Sequence, residues 1–203
     1  MDREHRFFVG LDLGQASDYT AINVQEQQWN EEKTRYEYKL RYLERFRGVP
    51  YPDVVKKVSA MMLSEKLQGA SEPPRLILDK TGVGAPVADM FRIGPIRPIE
   101  ITITGGQNVN VVPKGYNVPK RDLVFALLGV YQGGRFKASN ALPLAKVFLD
   151  ELMGFKVKID IKTGHDSYEA WREGIHDDLV LSVALATWYG EYRYGRRVSK
   201  RFV

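Results

Sequence analysis

The chain contains no cysteine. That removes disulfides, thiolate metal sites and a cysteine nucleophile, and it fits a reducing compartment. Histidine is scarce: His5, His165 and His176 are the only three in 203 residues, and no two stand at a metal-ligand spacing. No apolar run approaches the ~18 residues that span a bilayer, so no membrane partner is expected. The opening Met-Asp-Arg-Glu-His-Arg carries no apolar core of a secretory signal. Nor is there a Gly-x-x-x-x-Gly-Lys-Ser/Thr phosphate loop, so no P-loop ATPase motor is written here. Internal repeats and long low-complexity stretches are also missing.

What is present is a globular composition. Apolar residues make up 44% and charged residues 27%, enough for a packed core, and the length suits one domain. Net charge is +5, but residues 191–203 hold five basic residues (Arg193, Arg196, Arg197, Lys200, Arg201) against Glu191 alone. The body, residues 1–190, is therefore nearly neutral, and the C-terminal segment 191–203 is a basic tail available to an anionic partner or to solvent.

The apolar run over 7–13 predicts a central buried strand, followed by a turn over 14–18 and two more strands, 19–28 and 36–46, in an antiparallel meander. Val54, Val55, Val58, Met61 and Met62 share one helical face, predicting a helix within 52–67. A strand at 75–79, a short helix at 85–92 and a strand at 96–104 follow, and the strand reached through a helix is expected to run parallel. Residues 105–116 read as a loop or small hairpin. Pro119 suits the first position of a helix whose apolar face is Leu123, Val124, Leu127, Leu128 and Tyr131. Ala145, Phe148, Leu149 and Leu152 mark another helix, the alternation over 155–161 predicts a half-exposed strand, and a last helix runs over about 177–189. The sum is an α/β fold with a mixed sheet.

Three acidic positions stand out. Asp12 lies inside Val9-Gly10-Leu11-Asp12-Leu13-Gly14, Asp79 ends the run Leu76-Ile77-Leu78-Asp79, and Asp177 and Asp178 open the apolar helix after His176. Each has a plain reading by itself. Asp12 serves as a turn residue, Asp79 pairs with Lys80 or caps a turn, and Asp177 or Asp178 caps a helix. Together they point elsewhere. Two strand ends and a helix start can converge at one edge of an α/β sheet, and clustered carboxylates need cations to hold them. Oxygen ligands without cysteine favour Mg²⁺ or Mn²⁺ over Zn²⁺.

These segments, Gly10-Leu-Asp12-Leu-Gly14, Asp79-Lys-Thr-Gly82-Val-Gly84 and His176-Asp177-Asp178-Leu179, resemble the nuclease domain of the large terminase subunit of tailed bacteriophages. The similarity covers about residues 7–190, and Val118-Pro119-Lys120-Arg121-Asp122-Leu123 adds to it. The resemblance implies a ribonuclease-H-like fold: three antiparallel strands, then parallel strands, flanked by helices. It implies a metal-dependent endonuclease that hydrolyses double-stranded DNA during viral genome packaging. It places the metal and catalytic roles on Asp12, Asp79 and the Asp177/Asp178 pair, with Asp178 as the third principal ligand and Asp177 binding a second ion or orienting a water. Two Mg²⁺ or Mn²⁺ ions would then lower the pKa of an attacking water and stabilise the leaving 3′ oxygen, with no histidine base required. The implied partners are double-stranded DNA, an ATPase motor domain of the same subunit, the small terminase subunit and the portal protein, in the cytoplasm of an infected bacterium. With the motor motif missing, the expectation is a nuclease domain separated from its motor.

Lys80, Lys120, Arg121, Arg196 and Arg197 are candidates for phosphate contact, with ordinary solvated side chains as the alternative. The acid-poor loop over 105–120 is a candidate to lie along DNA. Asp18 reads as a turn residue, or as support for the first acid. Competing functions are a Holliday-junction resolvase or transposase-like nuclease of the same fold, and a non-catalytic packaging or portal-docking module in which the acids are structural. A sugar-kinase or actin-like ATPase needs a second such half, and the chain is too short for one.

Overall fold

The computed structural model describes residues 4–15, 18–161 and 177–195. One eight-stranded sheet runs through it in the order β6-β7-β5-β4-β1-β2-β3-β8. Strand β1 (His5–Asp12) pairs antiparallel with β2 (Thr20–Asn30), and β2 pairs antiparallel with β3 (Arg35–Phe46). On its other side β1 pairs in parallel with β4 (Arg75–Asp79), reached through helices α1 (Tyr51–Met62) and α2 (Glu65–Gln68). Helix α3 (Gly84–Ile93) leads to β5 (Ile99–Thr104), parallel to β4. The β6 (Asn110–Val112) and β7 (Gly115–Pro119) hairpin then adds β7 in parallel to β5. Helix α4 (Lys120–Gln132), the short β8 (Phe136–Ala138) parallel to β3, α5 (Ala145–Ile161) and α6 (Asp178–Tyr194) complete the chain. This is the expected antiparallel trio followed by parallel strands, with helices on both faces.

Strand alternation divides the core. Phe7, Val9 and Leu11 of β1 and Leu13 just after it, with Leu76 and Leu78 of β4, pack against α1 and α3. Phe8 of β1 and Ile77 of β4 face the other way, among residues of α4, α5 and α6. Asp12 and Asp79 share the parity of Phe8 and Ile77, so both turn toward the α6 side. Helix α6 is buried on every side from Leu179 to Gly190, as expected of an all-round apolar helix at the centre of a domain.

Two expectations are corrected. The strand expected over 155–161 is the continuation of α5, which runs unbroken to Ile161; a two-residue alternation does not make a strand where no reversal separates it from a preceding helix. Pro119 closes β7 and stands as the N-cap of α4, one residue before the helix. No helix among the described residues is long and apolar enough to cross a membrane.

Candidate active site

The acids collect at the carboxyl edge of the sheet. Leu11 of β1 is paired with Leu78 of β4, so Asp12 and Asp79 end two adjacent parallel strands side by side. Each is only 8% exposed. Helix α6 comes down on this edge because β1 has a glycine there. A Cβ at Gly10 would run into the Ser182 carbonyl oxygen of α6, one turn beyond Asp178. The Gly-x-Asp spacing thus lets a helix backbone touch a strand two residues before its acid.

The second motif is equally local. The Thr81 amide donates to Asp79 Oδ1 at 2.8 Å, and the Thr81 hydroxyl accepts the Ile103 amide of β5 at 3.0 Å. The chain then folds back until a Cβ at Gly84 would meet the Asp79 carbonyl oxygen. Asp79-x-Thr-x-x-Gly is therefore a turn that fixes the acid and starts α3 in the same few residues.

Asp177 is the N-cap of α6, yet its side chain makes no capping bond. Instead the Lys120 ammonium, arriving from the β7–α4 junction, donates to Asp177 Oδ2 at 2.6 Å. Asp178 is the first residue of the helix. Burial first, then the charges of Asp79, Asp177 and Asp178, push Asp12 well above the ordinary carboxylate range, and Lys120 opposes them. Burial pushes Asp79 up to about 6 against the Thr81 hydrogen bonds and Lys120. Both strand-end acids therefore resist ionisation without added positive charge.

The donor chemistry suits a hard divalent cation: the groups gathered here are carboxylates, and among the described residues the Lys120 ammonium acts on Asp12, Asp79 and Asp177. Among the described residues no three such side chains already close into a coordination sphere.

The other candidates are placed as follows. Lys80 follows Asp79 and pairs with the buried Glu100 at 2.8 Å. Arg121 donates to the Gln107 carbonyl at 3.0 Å and approaches Asp122 at 3.4 Å. Asp18 is exposed, and its amide closes a turn on the Gln15 carbonyl at 2.7 Å. His5 lies at the far end of β1. His165, His176, Arg196 and Arg197 fall outside the described residues. Sequence reasoning missed Glu151 on α5, buried beside the α6 start and paired with Arg45 of β3 at 2.7 Å. The signal was an acid three residues after Phe148 and next to Leu152, on the buried face of a helix.

A mixed sheet of this order, with acids at its carboxyl edge and a central buried helix above them, is the ribonuclease-H-like fold. Its particular form is that of large terminase nuclease domains. The large terminase nuclease of the thermophilic phage G20c aligns with a TM-score of 0.56 at 23% identity, over 94% of this chain and 83% of that one. The Thermus phage P74-26 large terminase nuclease domain gives 0.53 at 22%, over 92% and 80%. The human cytomegalovirus terminase nuclease domain, Mn-soaked and inhibitor-bound, gives 0.53 at 16%, over 91% and 81%. No family model and no curated protein matches the chain by sequence.

Proposed function

We propose that this chain is a divalent-metal-dependent endonuclease that hydrolyses double-stranded DNA phosphodiesters, acting as the nuclease domain of a large terminase subunit in viral genome packaging. One observation carries the reading: two buried carboxylates, Asp12 and Asp79, end adjacent strands of a terminase-nuclease fold, with the charges of Asp177 and Asp178 acting on Asp12 and Lys120 acting on both. The Mn soak of the cytomegalovirus domain supports the choice of cation.

Asp12, Asp79 and Asp178 would hold Mg²⁺ or Mn²⁺, with Asp177 at a second ion or on a water. When bound, such ions supply an activated water and stabilise the leaving oxygen. The chain's own residues do the rest. The Thr81 amide holds the Asp79 carboxylate in one orientation. Lys120 neutralises part of the acid cluster and keeps Asp177 at the helix start. The positive end of the α6 dipole lies beside Asp178, the first residue of the helix. Lys80, Lys120 and Arg121 border the site and would meet DNA phosphates, and Arg196 and Arg197 of the basic segment 191–203 would add non-specific charge contact to the nuclease body, residues 1–190. On this reading the motor domain, the small subunit and the portal are the packaging partners, and the infected host's cytoplasm is the place of work.

The test is a supercoiled plasmid with Mn²⁺ or Mg²⁺. Nicking and linearisation with little sequence preference are expected, EDTA stops them, and Asp12→Asn, Asp79→Asn and Asp178→Asn each lower the rate at least 100-fold with the fold intact by circular dichroism. Parental rates in all three variants sink the assignment. Uncut DNA combined with unchanged Mn²⁺ binding in the variants returns the acids to a structural role.

A further inference from the structure

The face of β2 that lies under α6 carries carboxamides in the middle of an apolar core. Asn23, Gln25 and Gln27 alternate along the strand with the parity of Ala21, and all three are fully buried. Buried amides destabilise a core unless their donors and acceptors are met. At Gln25 they are. Its Nε2 donates to Asn23 Oδ1 at 3.0 Å and to the Val183 carbonyl of α6 at 2.8 Å. Its Oε1 accepts from the Thr187 hydroxyl at 2.9 Å, and that hydroxyl also lies 3.0 Å from the Val183 carbonyl. Val183 and Thr187 are four residues apart, so one side chain grips α6 on two successive turns. Turning the amide over would set its oxygen against the Val183 carbonyl, so the bonding pattern fixes its orientation.

The grip extends to the strand of the first acid. Asn23 Nδ2 donates at 3.3 Å to the carbonyl of Gly10, two residues before Asp12. On α6, Val183 lies five residues after Asp178. A polar chain of Gly10, Asn23 and Gln25 therefore ties β1 to the helix that carries the other acids. Apolar contact alone would not hold that helix lengthwise. It is buried on every side from Leu179 to Gly190, and hydrophobic burial has no direction. A slip of one residue moves a helix about 1.5 Å along its axis and turns it by about 100°. Metal sites hold their ligand distances to about 0.2 Å.

We propose that Gln25 is a positioning residue for the acid site. Its hold on Val183 and Thr187 sets the lengthwise register of α6 against β1 and β2, and that register sets how Asp177 and Asp178 meet Asp12 and Asp79. The consequence for cation affinity rests on the metal-site reading above; the register itself does not.

The first measurement needs no metal. The chain has no cysteine, so a pair of spin labels can be attached through Val49→Cys, just past β3, and Arg193→Cys, in the last turn of α6, both exposed positions. The parent is expected to show one narrow distance. Gln25→Met, and Thr187→Val, which keeps the shape of threonine and loses the hydroxyl, should shift that distance by about 1 Å or more, or split it. Thr187→Ser, which keeps the hydroxyl, should retain it. A parental distance in Gln25→Met overturns the register role. The second measurement is Mn²⁺ titration of the unlabelled chain without DNA. Affinity is expected to fall about tenfold or more in Gln25→Met, to fall less in Thr187→Val and to stay parental in Thr187→Ser. Val58→Ala, in the core layer on the other face of the sheet, is the stability control and should leave Mn²⁺ affinity unchanged. Parental affinity in folded Gln25→Met overturns the positioning of the acids, and so does an equal loss in Val58→Ala. A parent that binds no Mn²⁺ brings down the metal-site reading and the affinity claim together, while the label distances still decide the register.

Discussion

The two ends of α6 are built on opposite electrostatic plans. At the carboxyl end the buried charges are paired. Arg135 makes a bidentate pair with Glu191 at 2.8 and 2.6 Å, and the Tyr38 hydroxyl donates to the same carboxylate at 2.8 Å. Arg6 pairs with Glu4 and with Glu72, the latter at 2.7 Å, and lies 4.3 Å under the Tyr194 ring. At the amino end, Asp12, Asp79, Asp177, Asp178 and Glu151 face Lys120 and Arg45. One end holds the helix to the sheet. The other concentrates like charge in a buried place, which the fold tolerates at a cost in stability and which is the usual mark of a working site. Between them Gln25 donates to the Val183 carbonyl at 2.8 Å and accepts from Thr187 at 2.9 Å, a buried polar step that fixes the helix along β2.

Substitutions at the two ends should therefore move stability in opposite directions. Arg6→Ala leaves its acids and two aromatic rings without their shared cation, and the expected loss is about 3 kcal/mol, a melting temperature lower by roughly 6–12 °C. Mn²⁺ affinity should not change. Asp12→Asn removes a buried, repelled carboxylate, and in EDTA it should raise stability by about 1 kcal/mol, or roughly 2–4 °C, while removing Mn²⁺ binding. Thermal melts with and without Mn²⁺ read both. A melting temperature lowered by Asp12→Asn in EDTA would mean that the carboxylate stabilises the fold, and the contrast between the ends would fail.

The ends also carry opposite pH signs. Asp79 is raised from 3.8 to about 6. Its contribution to stability is complete below its ordinary pKa and is lost as pH rises through about 6, because the folded state holds the proton longer. Glu72 is lowered; burial opposes the shift, but the hydrogen bond and charge of Arg6 outweigh it, so its contribution is lost only as pH falls below the ordinary carboxylate range. Between pH 5 and 8, of the two ends' shifted carboxylates, those of the site end respond. Metal-free protein should lose on the order of 1 kcal/mol over that interval from Asp79 alone, with Asp12 and Glu151 acting in the same direction. Saturating Mn²⁺ should cancel the loss at pH 8, and Asp79→Asn should flatten the profile. A metal-free melting temperature that climbs from pH 5 to 8 would contradict the raised pKa values.

Much of this was legible in the sequence because the features are local. A carboxylate at the end of an apolar strand run marks Asp12 and Asp79, and the glycines after Asp79 mark its turn. An apolar run behind Asp177-Asp178 marks a buried helix. Parity along β1 and β4 even gives the face the acids occupy. What sequence did not yield is long-range. The pairing of Arg45 with Glu151 spans 106 residues, and no local pattern encodes it. Lys120 reads as any basic helix-start residue until α6 is placed beside it. Strand β8 is three residues long, below the length at which alternation is visible, and the 155–161 alternation misled because a helix continued through it.

The smallest expected effect lies beyond both ends, in the basic segment. Residues 191–194 are the last of α6, and Glu191 and Tyr194 belong to the carboxyl-end clasp, so a deletion that tests DNA contact must begin at 196. Residues 196–203 carry Arg196, Arg197, Lys200 and Arg201. If these meet phosphates, each contact releases condensed counterions and adds close to 0.9 to the salt slope on duplex DNA. Deletion of 196–203 should then flatten the dependence of log Kd on log salt by about 1–3, weaken binding most at low salt, and leave both the melting temperature and the Mn²⁺ affinity of the amino-end site as they were. An unchanged slope would confine DNA contact to the sheet edge around Lys80, Lys120 and Arg121, and would make the acid site carry its own substrate recognition.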